Sequence, residues 1–298
     1  MIYTVTLNPC LDYVMECENI IAGDTNRSCS ESISFGGKGI NVSFILKELG
    51  IASKALGFIG GFTGEELEKQ VRQIGIDSEF TKVHVGNTRI NVKIKGKDIT
   101  EINASGFTIN DDDLLNLYNL LDKIKIGDTV VIGGSSPKGA ADDIYEKICK
   151  RLYDRSVSLV VDTTGKKLLS CLKYKPFLIK PNKAELEELF SIAIDSEGSL
   201  LKYMKELQSM GASNVLVSLG KNGASLLDSY GVFHHVEAHK IDAVNTVGAG
   251  DSMVAGFLCG YKKGFQYALD LGNACGAATS QCPGLANRAH IEKFINLL

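Results

Sequence analysis

From residue 111 onward the chain keeps one rhythm, in which short apolar runs alternate with amphipathic stretches of helical period. This constrains the fold more than any single motif. The pattern predicts helices over residues 111–125, 142–154, 166–172, 183–190 and 198–210, with strands at 129–132, 157–162, 177–180 and 215–218. Strands that are apolar throughout must be covered on both faces, so the expected fold class is α/β, a mostly parallel sheet between layers of helix. A hairpin, 224–228 with 232–236, ends the series. Upstream, the β-branched run 2–7 reads as a strand, and 55–59 with 64–74 reads as one β-α unit.

Two segments break the rhythm. Residues 83–85, 89–95 and 99–102 alternate polar and apolar side chains, the mark of strands wet on one face. With the short, broken, polar pattern of 13–34 they are expected to form a separate small sheet, a flap from about 13–34 and 83–103. No proline-rich or low-complexity linker divides the chain, so residues 1–298 are read as a single domain.

Parallel α/β sheets bind ligands beyond the carboxyl ends of their strands, which makes the polar residues just after strands the ones to collect. They are Asp12, Gly133-Gly134-Ser135-Ser136, Asp162-Thr163-Thr164, Lys180-Pro181-Asn182 with Glu185, and Ser218-Leu219-Gly220-Lys221. Two glycine-rich helix starts join them. Asn245-Thr246-Val247-Gly248-Ala249-Gly250-Asp251-Ser252 leads into a long apolar run, where unpaired first-turn amides and the helix dipole favour an anion. Phe35-Gly36-Gly37-Lys38-Gly39-Ile40-Asn41-Val42 opens a helical pattern that stops at Gly50. Each string alone is equally an ordinary helix cap or a loop needing positive φ. Neither is a common nucleotide fingerprint, because Met253 stands where a dinucleotide loop needs glycine and no Gly-Lys-Ser/Thr occurs.

The net charge of −3 gives no basic field for nucleic acid, so any phosphate must be held by a local pocket. Eight scattered cysteines without a Cys-x-x-Cys pair read as buried thiols in a reducing compartment. No apolar run approaches membrane-spanning length and the start lacks the form of a signal segment; the expected location is the cytoplasm.

The two glycine strings, their order, their wide separation and the intervening Lys180-Pro181-Asn182-x-x-Glu185 resemble the signatures of ribokinase-like sugar kinases of the phosphofructokinase B family. The resemblance spans essentially the whole chain. It implies a three-layer α/β/α sandwich with a β lid that often pairs with another subunit, hence a homodimer. It also implies ATP and Mg²⁺ as partners of a small sugar phosphate. By position, Asp251 is the implied base, and the amides of Gly248, Ala249 and Gly250 the implied anion hole. Asn182 and Glu185 would organise Mg²⁺ largely through water, with Lys180 by the nucleotide phosphates. Ser218, Gly220 and Gly223 match the nucleotide-side loop, and Asn273 an adenine-side position. Asp12, Gly37, Gly39 and Asn41 match sugar-hydroxyl positions. Lys38, Arg27 and Arg89 fit a phosphate already carried by the sugar. Ser135 stands in a loop that departs from the family pattern, Gly134-Ser135-Ser136-Pro137-Lys138-Gly139, where Lys138 is an added charge.

Within the family, Thr88-Arg89-Ile90-Asn91-Val92-Lys93-Ile94 and Thr100-Glu101-Ile102-Asn103 look most like the members acting on fructose 1-phosphate. Those acting on tagatose 6-phosphate come next. The resemblance thus implies phosphorylation of the 6-hydroxyl of fructose 1-phosphate to fructose 1,6-bisphosphate. A tagatose-6-phosphate kinase or 6-phosphofructokinase is the alternative, and a non-catalytic sugar-phosphate sensor a further one.

Overall fold

The structure is a computed structural model that describes residues 1–296. In chain order the first elements are β1 (Ile2–Thr6), β2 (Cys10–Glu16), β3 (Ser30–Gly36), α1 (Lys38–Glu48), β4 (Ser53–Ile59), α2 (Gly61–Gln73) and β5 (Asp77–Lys82). Next come β6 (Arg89–Lys95), β7 (Ile99–Asn103), α3 (Asp111–Leu121), β8 (Thr129–Gly133), α4 (Ile144–Tyr153), β9 (Ser158–Asp162), α5 (Gly165–Leu172) and β10 (Leu178–Ile179). The chain ends with α6 (Lys183–Phe190), α7 (Glu197–Ser209), β11 (Asn214–Ser218), β12 (Ala224–Leu227), β13 (Phe233–Val236), α8 (Ala249–Gly260), α9 (Phe265–Ser280) and α10 (Arg288–Ile295).

Nine strands form one sheet in the order β13-β12-β11-β10-β9-β8-β1-β4-β5. It is parallel from β11 to β5, and the β12–β13 hairpin adds an antiparallel edge. Successive residues of a strand point to opposite faces, and between the two edge strands both faces are sealed. In β8, Val130 and Ile132 enter one core with Leu117, Ile148 and Leu207, while Val131 enters another with Val42, Phe257 and Ala274. Each such side chain, once removed from water, contributes about 1.5–3 kcal/mol, which is why the inner strands are apolar at their centres.

The second sheet has the order β3-β2-β6-β7. Register puts Asp12 opposite Ser34 and Asn91, and Asn91 opposite Asn103, on a polar face. The alternate face carries Tyr13 opposite Ile33 and Val92, and Val92 opposite Ile102. Ile33 and Ile102 remain 53% and 58% exposed.

Two boundaries differ from the sequence reading. Residues 77–82 form a strand at the open edge of the main sheet, paired with β4, although they are mostly polar. An edge strand is half wet, and there only Phe80 and Thr81 are buried, so no apolar run marks it. Residues 83–85 are no strand of the small sheet; Val83 turns into the main core instead. Among the described residues no helix is long and apolar enough to cross a membrane.

Candidate active site

A cleft of about 1670 Å³ lies between the carboxyl ends of the main sheet and the polar face of the second sheet. At its floor is the start of α8. Gly248 caps that helix with φ 83°, the left-handed region that a side chain would strain. Ser252 closes the turn, its amide and hydroxyl both donating to the Gly248 carbonyl at 2.9 Å. Among the described residues the amides of Gly248, Gly250 and Asp251 find no acceptor, and they line the cleft together with Ala249, whose amide reaches Thr246 O at 3.3 Å. Free amides at the positive end of a helix dipole form an anion site. Its size is fixed from behind: a side chain at 250 would come within 2.9 Å of Lys180 Nζ.

Asp251 is 4% exposed. Asn41, on α1, donates from Nδ2 to Asp251 Oδ2 at 2.8 Å, and Lys38 Nζ stands 3.6 Å from Oδ1. Lys38 also donates to Asp162 Oδ2 at 2.9 Å, and Lys180 lies 3.5 Å from Asp162 Oδ1. The result is a row of alternating charge, Lys180, Asp162, Lys38, Asp251, joining the ends of β9 and β10 to the starts of α1 and α8. Burial pushes the Asp251 carboxyl above its usual range and Asp162 adds to this, against the pull of Lys38 and Asn41. Burial acts on Asp162 in the same sense but is outweighed by Lys180 and Lys38, so its carboxyl sits below the usual range. Burial also disfavours the charged form of Lys38, yet Asp162 and Asp251 outweigh it and hold its pKa up. Of the two carboxylates, Asp251 is the stronger proton acceptor.

The polar face of the second sheet supplies the opposite wall. Asp12 receives Asn91 Nδ2 at 3.0 Å and Lys93 Nζ at 3.2 Å, and the Cys10 thiol at 3.4 Å. Burial and the neighbouring Asp12 push that thiol up to about 12, which keeps it protonated and donating. Arg89 donates from Nε to Asn8 O at 3.2 Å and from Nη1 to Asn91 Oδ1 at 3.0 Å. Ser135, just after β8 of the main sheet, lines the cleft 3.4 Å from Asn8 Nδ2.

At the other end the cleft is lined by Asn182, Glu185, Ser218, Gly220, Gly223 and Asn273. Asn182 and Glu185 cap α6 reciprocally, each side chain accepting the other's amide at 2.8 Å. Asn273 donates to Glu237 O at 2.9 Å, which ties α9 to the loop after β13. The cap leaves Glu185 one carboxylate oxygen without a protein partner among the described residues. No cluster of three metal-ligating side chains exists among those residues either. One carboxylate beside an amide fits Mg²⁺, which keeps several waters and takes other ligands from phosphates, and does not fit a cation needing an all-protein cage.

Two expected site residues stand elsewhere. Arg27 lies on the exposed connection between β2 and β3 and does not line the cleft, because that connection extends beyond the paired part of the sheet. Gly39 is buried under α1, where a side chain would meet Thr6 Oγ1 at 2.7 Å, so it lets helix and sheet approach and faces no ligand space. Gly37, Lys38, Asn41, Arg89 and Asp12 do line the cleft, but the charge of Lys38 is answered by Asp162 and Asp251. The sequence reading missed Asn91, Lys93 and Lys167 as cleft residues. For the first two a signal existed: Arg89, Asn91 and Lys93 share the polar face of one alternating strand.

The profile of pfkB family carbohydrate kinases matches residues 5–292. The chain belongs to this family. This carbohydrate kinase is 43% identical to the 1-phosphofructokinase of Bacillus subtilis (strain 168) over 99% of its own length and 97% of that protein's. It is 36% identical to the D-tagatose-1-phosphate kinase of Bacillus licheniformis, over 98% of this chain and 97% of that one. Among solved structures it is similar to phosphofructokinase-2 from Escherichia coli in complex with substrates and products, with a TM-score of 0.92, 27% identity, and coverage of 100% and 99%. The fold is thus ribokinase-like; the ribokinase of Arabidopsis thaliana superposes with a TM-score of 0.78 over 99% of this kinase and 98% of that chain, at 20% identity.

Proposed function

We propose that the chain transfers the terminal phosphoryl group of ATP to the 6-hydroxyl of fructose 1-phosphate, giving ADP and fructose 1,6-bisphosphate. The observation that carries this reading is Asp251 itself, a buried carboxylate of raised proton affinity in the first turn of a helix where, among the described residues, the amides of Gly248, Gly250 and Asp251 have no protein acceptor. The relatives named as kinases of ketohexose 1-phosphates support the substrate.

In the mechanism Asp251 takes the proton of the 6-hydroxyl. The sugar oxygen then bonds to the γ-phosphorus as the bond to the bridging oxygen of ADP breaks. Charge on the transferring group meets the free amides of Gly248, Gly250 and Asp251 and the Lys38 ammonium, so positioning and neutralisation suffice without a covalent intermediate. Lys38 acts here, at the transfer point, because it already spans Asp162 and Asp251. Lys180 attends the nucleotide phosphates, and Ser218, Gly220, Gly223 and Asn273 receive the nucleoside. Mg²⁺, when bound through Asn182 and Glu185 with water between, supplies further neutralisation of the phosphates. Asp12, Gly37 and Asn41 meet sugar hydroxyls, with Arg89 and Ser135 towards the phosphate the sugar brings.

The second sheet acts as a lid that excludes water on closing. Its apolar outer face, with Ile33, Ile90 and Ile102 exposed, is covered by a second copy in a homodimer. All eight cysteines are free thiols, which fits the cytoplasm.

Release of ADP is measured with fructose 1-phosphate, D-tagatose 1-phosphate, fructose 6-phosphate and tagatose 6-phosphate. The expected order puts fructose 1-phosphate first in kcat/KM. Preference for either 6-phosphate overturns the substrate. Preference for D-tagatose 1-phosphate, which differs only in configuration at C4, supports the second reading that the Bacillus licheniformis relative raises. Binding without ADP release would mean a sensor.

A further inference from the structure

Most cations that the cleft holds in fixed positions are answered by a carboxylate: Lys38 and Lys180 by Asp162, Lys93 by Asp12. Two are not. Arg89 is fixed by the Asn8 carbonyl and the Asn91 amide oxygen. Lys167, from α5 in the main body, donates Nζ to Ser136 Oγ at 3.0 Å and lies 5.8 Å from the centre of the Tyr145 ring. No carboxylate approaches either one among the described residues. Both are tied to the same short wall, since Asn8 Nδ2 reaches Ser135 Oγ at 3.4 Å and Ser136 O at 3.5 Å. Tyr145 stiffens that wall by donating its hydroxyl to Gly134 O at 2.6 Å.

A half-buried cation held by neutral groups keeps its full charge while losing part of its hydration, an arrangement that favours an anionic ligand. The wall lies on the β1–β8 side of the cleft, beside Arg89 and away from the nucleotide end at β10 and β11.

We propose that Lys167, from the main body, is a further determinant for the phosphate that the acceptor sugar already carries, and joins Arg89 of the second sheet in holding it. The chemical class recognised is a phosphate monoester at the end of the sugar remote from Asp251, and Ser136 is the group that aims the lysine at it. This rests on the proposed sugar-phosphate kinase activity and adds a determinant to it. Because one cation comes from the second sheet and the other from helix α5 of the main body, the sugar's own phosphate bridges the cleft, and a sugar without it leaves the two sides unconnected at that point.

The test is steady-state kinetics of the full chain with fructose 1-phosphate and ATP varied in turn, for wild type, Lys167→Met and Lys167→Arg. Methionine keeps the apolar stem against Tyr145 and removes only the charge. Loss of one charge-assisted hydrogen bond is expected to raise KM for the sugar phosphate on the order of 10- to 100-fold in Lys167→Met. The KM for ATP should stay within about twofold and kcat should fall less than KM rises, with Lys167→Arg restoring most of the loss. A rise in KM for ATP instead, or an unchanged KM for the sugar phosphate, overturns the assignment. Should wild type prefer another sugar phosphate, the fructose 1-phosphate reading falls, and the same variants on that sugar decide the role of Lys167 separately.

Discussion

The two sheets draw on the same β-branched residues and bury them in opposite ways. In the nine-stranded sheet Val131 and Ile132 face opposite layers of helix, and both are essentially inaccessible. In the four-stranded sheet one face is polar and lines the cleft, while the other leaves Ile33 and Ile102 more than half exposed. Sealed on both sides, the large sheet can hold Asp162 and Lys180 at strand ends and carry the desolvation cost of a buried charge row. The small sheet presents Asp12, Arg89, Asn91 and Lys93 on a surface with far less packing behind it. Phosphoryl transfer needs the first kind of support, and recognition by a moving cover tolerates the second.

The sharpest way to break this division is to remove one carboxylate from each region. Asp251→Asn should lower kcat by about 10²–10⁴-fold with little change in KM for ATP, since it removes the base and leaves the amides. Asp12→Asn should act mainly on the sugar, raising its KM about tenfold with a smaller fall in kcat. If Asp12→Asn lost kcat as heavily as Asp251→Asn, the two walls would not differ in role.

Next in size is a packing test. Ile132→Ala empties a site sealed on all sides and should cost about 2–5 kcal/mol in denaturant unfolding. A cost below about 1 kcal/mol would mean that the central sheet repacks freely, contrary to the rigidity assigned to it.

A pH profile then probes the charge row. Burial raises the Asp251 pKa and Lys38 opposes that rise. The base works only when deprotonated, so kcat/KM falls as pH drops through its pKa. Lys38→Met removes the opposing charge, raises the Asp251 pKa further and moves the acid limb to higher pH. An acid limb that stays in place, or moves down, would show that Lys38 does not act on Asp251.

What could be read from sequence follows the same contrast. The strands β8 to β11 were legible because sealing both faces forces an apolar centre on each, and the β12–β13 hairpin was legible from its two short runs around a polar turn, although β13 is a partly wet edge strand that carries His234 and His235. The edge strand β5 was not, since one open side lets Ser78, Glu79 and Lys82 stand in it. Asp251, Asn41 and Lys38 were legible because glycine-rich helix starts are local features. Lys167 was not, because its meaning comes from Ser136, thirty-one residues away in the chain, and no local pattern records that meeting. Gly39 misled for the converse reason: a glycine required by close packing against Thr6 looks the same in sequence as one required by a ligand. Arg27 misled because it was assigned by the family resemblance and its charge, and neither says how far the connection between β2 and β3 extends beyond the paired strands.

The smallest effect belongs to the outer face of the small sheet. Ile102 is 58% exposed in the single chain, so Ile102→Ala removes little buried surface there and should change the unfolding free energy by no more than about 0.5 kcal/mol in dilute protein. The same substitution weakens a dimer that uses this face, so sedimentation should detect a lower association constant at concentrations where the unfolding of the subunit is unaffected. A large stability loss that does not depend on protein concentration would mean that Ile102 packs within its own subunit. A loss that grows with concentration is what a second copy covering the sheet requires, and it would explain why a solvent-facing strand keeps isoleucine where the large sheet's open edge carries charge.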